Sequence, residues 1–167
     1  MAEPDGFDAF VVARSPALLR FGWLLTGNRA TAEDLVQAAL MRTWARWGRL
    51  DSVEGAEPYV RRVMVTQYAT WWRRRWRAEV PTDALPERAD APPDLDLRES
   101  VRAALGSLPR RQRAVVVLRY VEDLSVAETA ALLGCTAGTV KSQAAKALGT
   151  LRRGGLLAPY GSEGVAR

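Results

Sequence analysis

The 167-residue chain contains no histidine, which removes the commonest general base and a principal metal ligand. It has one cysteine, Cys135, so an internal disulfide framework is excluded, and the thiol has no imidazole to activate it. A single free thiol fits a reducing compartment. No apolar run approaches the roughly 18 residues needed to cross a bilayer. The opening MAEPDGFDAF lacks the basic-then-apolar order of a secretory signal, so a cytoplasmic protein without membrane insertion is expected. The acidic residues fall mostly in helix first turns and in a linker, which leaves no convincing acid–base pair. The expectation is no enzyme, no cofactor and no metal. Lysine is almost missing as well: of 24 basic residues only Lys141 and Lys146 are lysine. GC-rich coding, in keeping with abundant Ala, Gly and Val, accounts for the arginine bias, and both exceptions fall in one short helix.

What is present is apolar and basic. Hydrophobic residues make up 48% of the chain and the net charge is +5 with a pI near 10.0, a balance that folds and that invites a polyanionic partner. The length allows one mid-sized domain or two small ones. Phe10, Ala13, Ala17, Phe21 and Leu24 recur at helical spacing and predict an amphipathic first helix. Pro16 falls inside it and predicts a kink or break near Ser15. Leu25-Thr26-Gly27-Asn28 supplies a glycine stop. Thr31 followed by Asp34 reads as the start of a second helix, with Val36, Leu40, Trp44 and Trp47 as its buried stripe. Residues 48–56 are loop-like, and Pro58 suits the first turn of a third helix reaching about Arg77.

Residues 78–95, AEVPTDALPERADAPPDL, are rich in proline, alanine and acids and show no apolar period, so they read as an extended tether. Beyond it, Asp96 with Glu99 resembles a capping box, and Val101, Leu105 and Leu108 form an apolar face. Pro109 opens a helix over 110–121 with Val115, Leu118 and Val121 inward. No alternating apolar run with hairpin turns occurs, so no sheet is expected. The predicted fold is all-α: two small helical bundles joined by a flexible acidic, proline-rich linker, with domains at 1–77 and 96–157, the linker at 78–95 and a tail at 158–167.

The strongest local signal lies at about 125–148. Ser125 and Glu128 form a capping box. Ala130 is small, as two closely crossing helices require, and Gly134, four residues on, admits the positive φ of a tight turn. Thr136 can cap the next helix, and Val140, six residues past the glycine, packs back. These offsets are those of a helix-turn-helix. In its second helix Val140, Ala144, Ala147, Leu148 and Leu151 share the inward stripe. Lys141, Ser142, Ala145 and Lys146 face outward, where a recognition helix meets base edges. Lysine can donate to guanine O6 and N7, serine to bases or phosphate, and alanine can meet a thymine methyl. Cys135 is expected to fill space in the turn.

A second constellation lies at 59–77, YVRRVMVTQYATWWRRRWR. Arg61, Arg62, Arg73, Arg74, Arg75 and Arg77 offer phosphate contacts, while Tyr68, Trp71, Trp72 and Trp76 offer flat surfaces. Duplex binding needs only the charge. Aromatics interleaved with arginines point to unpaired bases, on which a ring stacks with roughly 1–3 kcal/mol. At least one of Trp71, Trp72 and Trp76 is expected to meet DNA, whereas Trp44 and Trp47 are expected in the core.

These residues together resemble bacterial extracytoplasmic-function sigma factors, in particular the sigma-E-like actinobacterial branch. Ala32-Glu-Asp-Leu-Val-Gln37 with Arg42 and Trp44 resembles the helix that docks on the polymerase β′ clamp. Residues 57–77 resemble the helix that engages the −10 element. Leu108-Pro109, Arg119-Tyr-Val-Glu-Asp-Leu-Ser125 and Gly138-Thr-Val-Lys-Ser142 resemble the region that reads the −35 element. The resemblance implies core RNA polymerase (β′ clamp and β flap) and promoter DNA as partners, with room for an anti-sigma factor. It places Glu33, Asp34, Leu35 and Gln37 at the polymerase. Arg61, Arg62, Thr66, Thr70, Trp71, Arg73 and Arg74 fall at the −10 element, and Thr139, Lys141, Ser142, Gln143, Ala145 and Lys146 at the −35 element. Where the family often has Asn and then Asp in the −10 helix, this chain has Thr66 and Thr70. Gln143 replaces a frequent arginine, and Ala145 a bulkier residue. The alternative is a helix-turn-helix regulator that acts without being a polymerase subunit, which would not need residues 32–37 or 71–77.

Overall fold

A computed structural model describes residues 6–76 and 99–155. Helices α1 (Phe7–Thr26), α2 (Arg29–Arg46) and α3 (Ala56–Trp76) belong to one compact unit, and α4 (Glu99–Gly106), α5 (Arg110–Val116), α6 (Val126–Leu133) and α7 (Ala137–Arg153) to a second. No strand occurs among the described residues. The expectations for the linker, the tail, Arg77, the Trp76 side chain and the Asp96–Glu99 cap lie outside the described residues and side chains.

In the first unit α1 packs against both α2 and α3, and α2 against α3. Being covered from two sides widens the buried arc of each helix beyond a single stripe. On α1 the core residues are Phe10, Leu18, Phe21, Trp23 and Leu25, while Ala13, expected inward, is exposed. The helices cross closely at Gly22, where a Cβ would lie 3.2 Å from the Ala32 side chain and 3.3 Å from Met64. Pro16 does not break α1. It lies on the exposed side, where the Val12 carbonyl it leaves unbonded can be hydrated, and the Ser15 hydroxyl donates to the Val11 carbonyl at 2.6 Å. Gly27, with φ of 65°, ends α1 as expected.

Helix α2 starts earlier than Thr31. Asn28, extended and immediately after the glycine, caps it by accepting from the Thr31 N–H at 2.8 Å, the geometry that makes asparagine a favoured cap. Its buried residues are Ala32, Leu35, Val36, Ala39 and Thr43. Trp47 is buried in the short 3₁₀ turn Trp47–Arg49 at its end, against Phe7 and Phe10, with ring centroids 5.1 and 5.2 Å away. Leu40 and Trp44, expected at the centre of the stripe, are half-buried. An ion pair between Arg14 and Glu57 at 3.3 Å ties α1 to the start of α3.

In the second unit Pro109 precedes α5 and Val115 to Leu118 are buried. The regular helix stops at Val116, short of the expected 121, and continues as a wide π turn over Val117–Val121. There the Glu122 N–H reaches back five residues to the Val117 carbonyl at 3.0 Å. The inserted residue rotates the side chains beyond it, so Val121, expected inward, is exposed. The Arg119 guanidinium donates to the Leu124 carbonyl, and Asp123 adopts φ of 55° at the corner. Arg113 is buried, its Nε donating to the Leu105 carbonyl at 3.0 Å and its Nη2 to the Leu108 carbonyl at 3.3 Å. The Leu105 carbonyl also accepts from the Leu108 N–H at 3.2 Å, so the guanidinium adds a second donor there and ties the turn after α4 to α5.

Candidate nucleic-acid interface

The α6–α7 pair is set by its caps. Ser125 accepts from the Glu128 N–H at 3.0 Å and Glu128 accepts from the Ser125 N–H at 2.7 Å, a complete capping box. Gly134 takes φ of 67°, and the Cys135 N–H closes onto the Ala130 carbonyl at 3.0 Å. Thr136 accepts from the Thr139 N–H at 3.1 Å and starts α7. Burial pushes the Cys135 thiol up, partly offset by Arg111. The thiol therefore stays protonated and fills space. Val140, Ala147 and Leu151 are buried, with Ala144 and Leu148 half-buried beside them.

The opposite face of α7 is open. Lys141, Ser142, Ala145 and Lys146 are all exposed, and Gln143 is half-buried on the flank. Thr139 is half-buried and committed to the cap, its hydroxyl 3.0 Å from that of Thr136. Two residues not singled out from the sequence extend this face: Arg152 and Arg153 are exposed in the last turn. Their signal is present in the sequence, since eleven residues are close to three helical turns and bring Arg152 back into line with Lys141.

On α3 the constellation of arginines and aromatics divides. Arg62, Thr66, Arg73, Arg74 and Arg75 are exposed and Thr70 and Trp71 half-buried. Both threonine hydroxyls donate along the helix, Thr66 to the Arg62 carbonyl at 2.9 Å and Thr70 to the Thr66 carbonyl at 3.0 Å. Tyr68 and Trp72 are buried with ring centroids 5.7 Å apart, so these two build core. Arg61 is half-buried, its guanidinium 4.3 Å from the centroid of the Phe21 ring on α1, which engages it inside the unit.

On α2, Asp34 and Gln37 are exposed, and Glu33 is exposed and paired with Arg29 at 3.1 Å. Leu35, expected at the polymerase, is wholly buried. It lies on the side of α2 that packs on the neighbouring helices and supports the surface from beneath. Met41 is 76% exposed. It comes seven residues after Asp34, about two turns, so it lies on the same face.

Family models for sigma-70 region 2 and sigma-70 region 4 match residues 10–78 and 98–151 respectively. The chain is 44% identical over 154 residues to the RNA polymerase sigma-E factor of Streptomyces coelicolor, covering 91% of this chain and 87% of that protein. The chain belongs to the extracytoplasmic-function family of RNA polymerase sigma factors. The sigma-E factor of Streptomyces avermitilis is 43% identical, with 87% of this chain and 83% of that one covered. The structure is similar to that of the sigma factor RpoE from Bartonella quintana, solved in complex with the anti-sigma factor NepR. The TM-score is 0.51 at 26% identity, covering 89% of this chain and 95% of that one. As a sigma factor, this protein is an initiation factor that binds core RNA polymerase and directs transcription from promoters by recognising −10 and −35 elements. The regulator acting without polymerase is not favoured.

Proposed function

We propose that this sigma factor divides its work between its two units. The first, residues 1–77, docks on core polymerase through the open face of α2 and engages the −10 element through the open face of α3. The second, residues 96–157, reads the −35 element with α7, and residues 78–95 tether them. Asp34 and Gln37 contact the β′ clamp, with Glu33 beside them and Leu35 holding the helix from below. Arg62, Thr66, Thr70, Trp71, Arg73 and Arg74 face promoter DNA, and Arg61 supports α3 from the side. Lys141, Ser142, Ala145 and Lys146 face the −35 duplex, flanked by Gln143 and the cap residue Thr139. The observation that carries the −35 reading is the sorting of α7: its four outward residues are exposed while Val140, Ala147 and Leu151 are buried.

The protein acts in the cytoplasm as a binding subunit and catalyses no reaction of its own. No helix among the described residues is long and apolar enough to cross a membrane. An anti-sigma factor is a fitting further partner, as one is for the Bartonella quintana neighbour. The test is transcription in vitro with purified core polymerase. Promoter-specific transcripts that depend on this protein are expected. No stimulation over core alone, together with tight promoter binding by the free protein, would overturn the reading.

A further inference from the structure

Lysine is confined to one place in this protein. The chain has 24 basic residues, and the only two with a primary amine on the side chain are Lys141 and Lys146. Both are exposed on the outward face of α7. Five residues separate them, roughly 7.5 Å along the axis and about 140° around it, so one stands on each side of the strip formed by Ser142 and Ala145. Neither ammonium group has an ion-pair or hydrogen-bond partner among the described residues. Everywhere else the positive charge is guanidinium: Arg62, Arg73, Arg74 and Arg75 on the open side of α3, Arg29, Arg42 and Arg46 on α2, and Arg152 and Arg153 at the end of α7.

The two groups differ in chemistry as well as shape. A guanidinium keeps its proton and does not act as a nucleophile under cellular conditions, whereas the lysine amine is the established target of acylation. We propose that Lys141 and Lys146 form an acylation site that turns off −35 recognition while leaving polymerase docking intact. The donor is an activated acyl compound, an acyl phosphate or an acyl thioester. The unprotonated Nζ attacks the acyl carbonyl carbon and a C–N bond forms. The C–O bond to phosphate, or the C–S bond to the thiol, breaks. The leaving group departs with the electron pair and the amine proton passes to solvent. No oxidant or reductant takes part. Each event replaces a cation carrying three donors with a neutral amide, and two events remove two of the chain's five net positive charges. Because lysine is absent from α2 and α3, the same reagent finds no side-chain target there.

This inference rests on the reading of α7 as the −35 helix, and the test separates the two. The full-length protein is treated with acetyl phosphate or, in a second arm, with acetyl-CoA. The donor is removed and the factor is assembled with untreated core polymerase. Peptide mass mapping should find acetyl groups on Lys141 and Lys146 in at least one arm. Affinity for a promoter with an intact −35 element should fall roughly ten-fold for each lost lysine contact, with core affinity unchanged. The double variant Lys141→Arg/Lys146→Arg should show the same promoter affinity before and after treatment, and Lys141→Gln/Lys146→Gln should show the weakened affinity without treatment. If neither lysine is acetylated at donor concentrations that modify a free lysine peptide, the site is refuted, and a weak glutamine double variant would leave the −35 reading standing. If both are acetylated and promoter affinity holds, the switch is refuted. Normal binding by the glutamine pair would then also remove the two lysines from the −35 contact set.

Discussion

The two units expose their working faces by different means. In the first, three helices cover one another, and a residue's role is decided by which neighbour it meets. Leu35 and Asp34 are adjacent in sequence, yet one is sealed in the core and the other stands in solvent. In the second, the order comes from helix ends. A capping box, a glycine turn and a threonine cap fix where α6 stops and α7 starts, and that start determines the outward face of α7. Packing from two sides places side chains through long-range contacts, while caps place them through neighbours three or four residues away. The first unit is therefore tolerant at its surface and brittle beneath it, and the second depends on a few polar hinge points.

The widest separation is expected at Leu35 and Asp34. Leu35→Ala should destabilise the first unit by about 2–5 kcal/mol, since it empties a buried site between packed helices. Asp34→Arg should leave the thermal melt in place and abolish core association on gel filtration. Equal melts for the two variants would end the distinction between core and surface on α2. A similar contrast applies to the paired tryptophans of α3. Trp72→Ala should lose about 3–5 kcal/mol of stability, whereas Trp71→Ala should fold normally and slow promoter opening, tracked with a permanganate-reactive thymine. A large stability loss at Trp71 would place it in the core with its neighbour.

Smaller effects belong to the second unit. Lys141→Ala should reduce discrimination at one or two −35 positions by about 1–3 kcal/mol. A uniform loss over all sequences would instead assign Lys141 to a phosphate. Thr129 is wholly buried, and its hydroxyl has no hydrogen-bond partner among the described residues. Thr129→Val keeps the shape and removes an unsatisfied group, so it should stabilise the second unit by about 1 kcal/mol in chemical denaturation. A destabilised variant would mean that the hydroxyl is satisfied in solution.

Legibility in the sequence divides along the same line. Ser125, Glu128, Gly134 and Thr136 announce the helix-turn-helix because capping and positive φ are local chemistry, and counting then puts Val140 inward. Asn28 is hard to recognise as a cap because Thr31 and Asp34 offer a plausible start three residues later. Periodicity misplaces the buried face of α2 because it assumes one covered side, and it assigns Leu40 and Trp44 to a stripe that Leu35 and Ala39 occupy. It misplaces Val121 for a different reason. A π turn breaks the 3.6-residue count, and nothing in Val-Leu-Arg-Tyr-Val marks the insertion. The exposed positions of Asp34 and Gln37 are legible. The commitment of Arg61 to the Phe21 ring is not, because it depends on how α1 crosses α3.

Arg113 has a consequence for how this factor meets acid. The corner between α4 and α5 is fastened by a guanidinium, which holds its proton at any pH a cell survives, and the chain contains no histidine, the side chain whose charge ordinarily changes between about pH 5 and 8. The fastening at the α4–α5 corner therefore keeps its charge as the pH falls through that range.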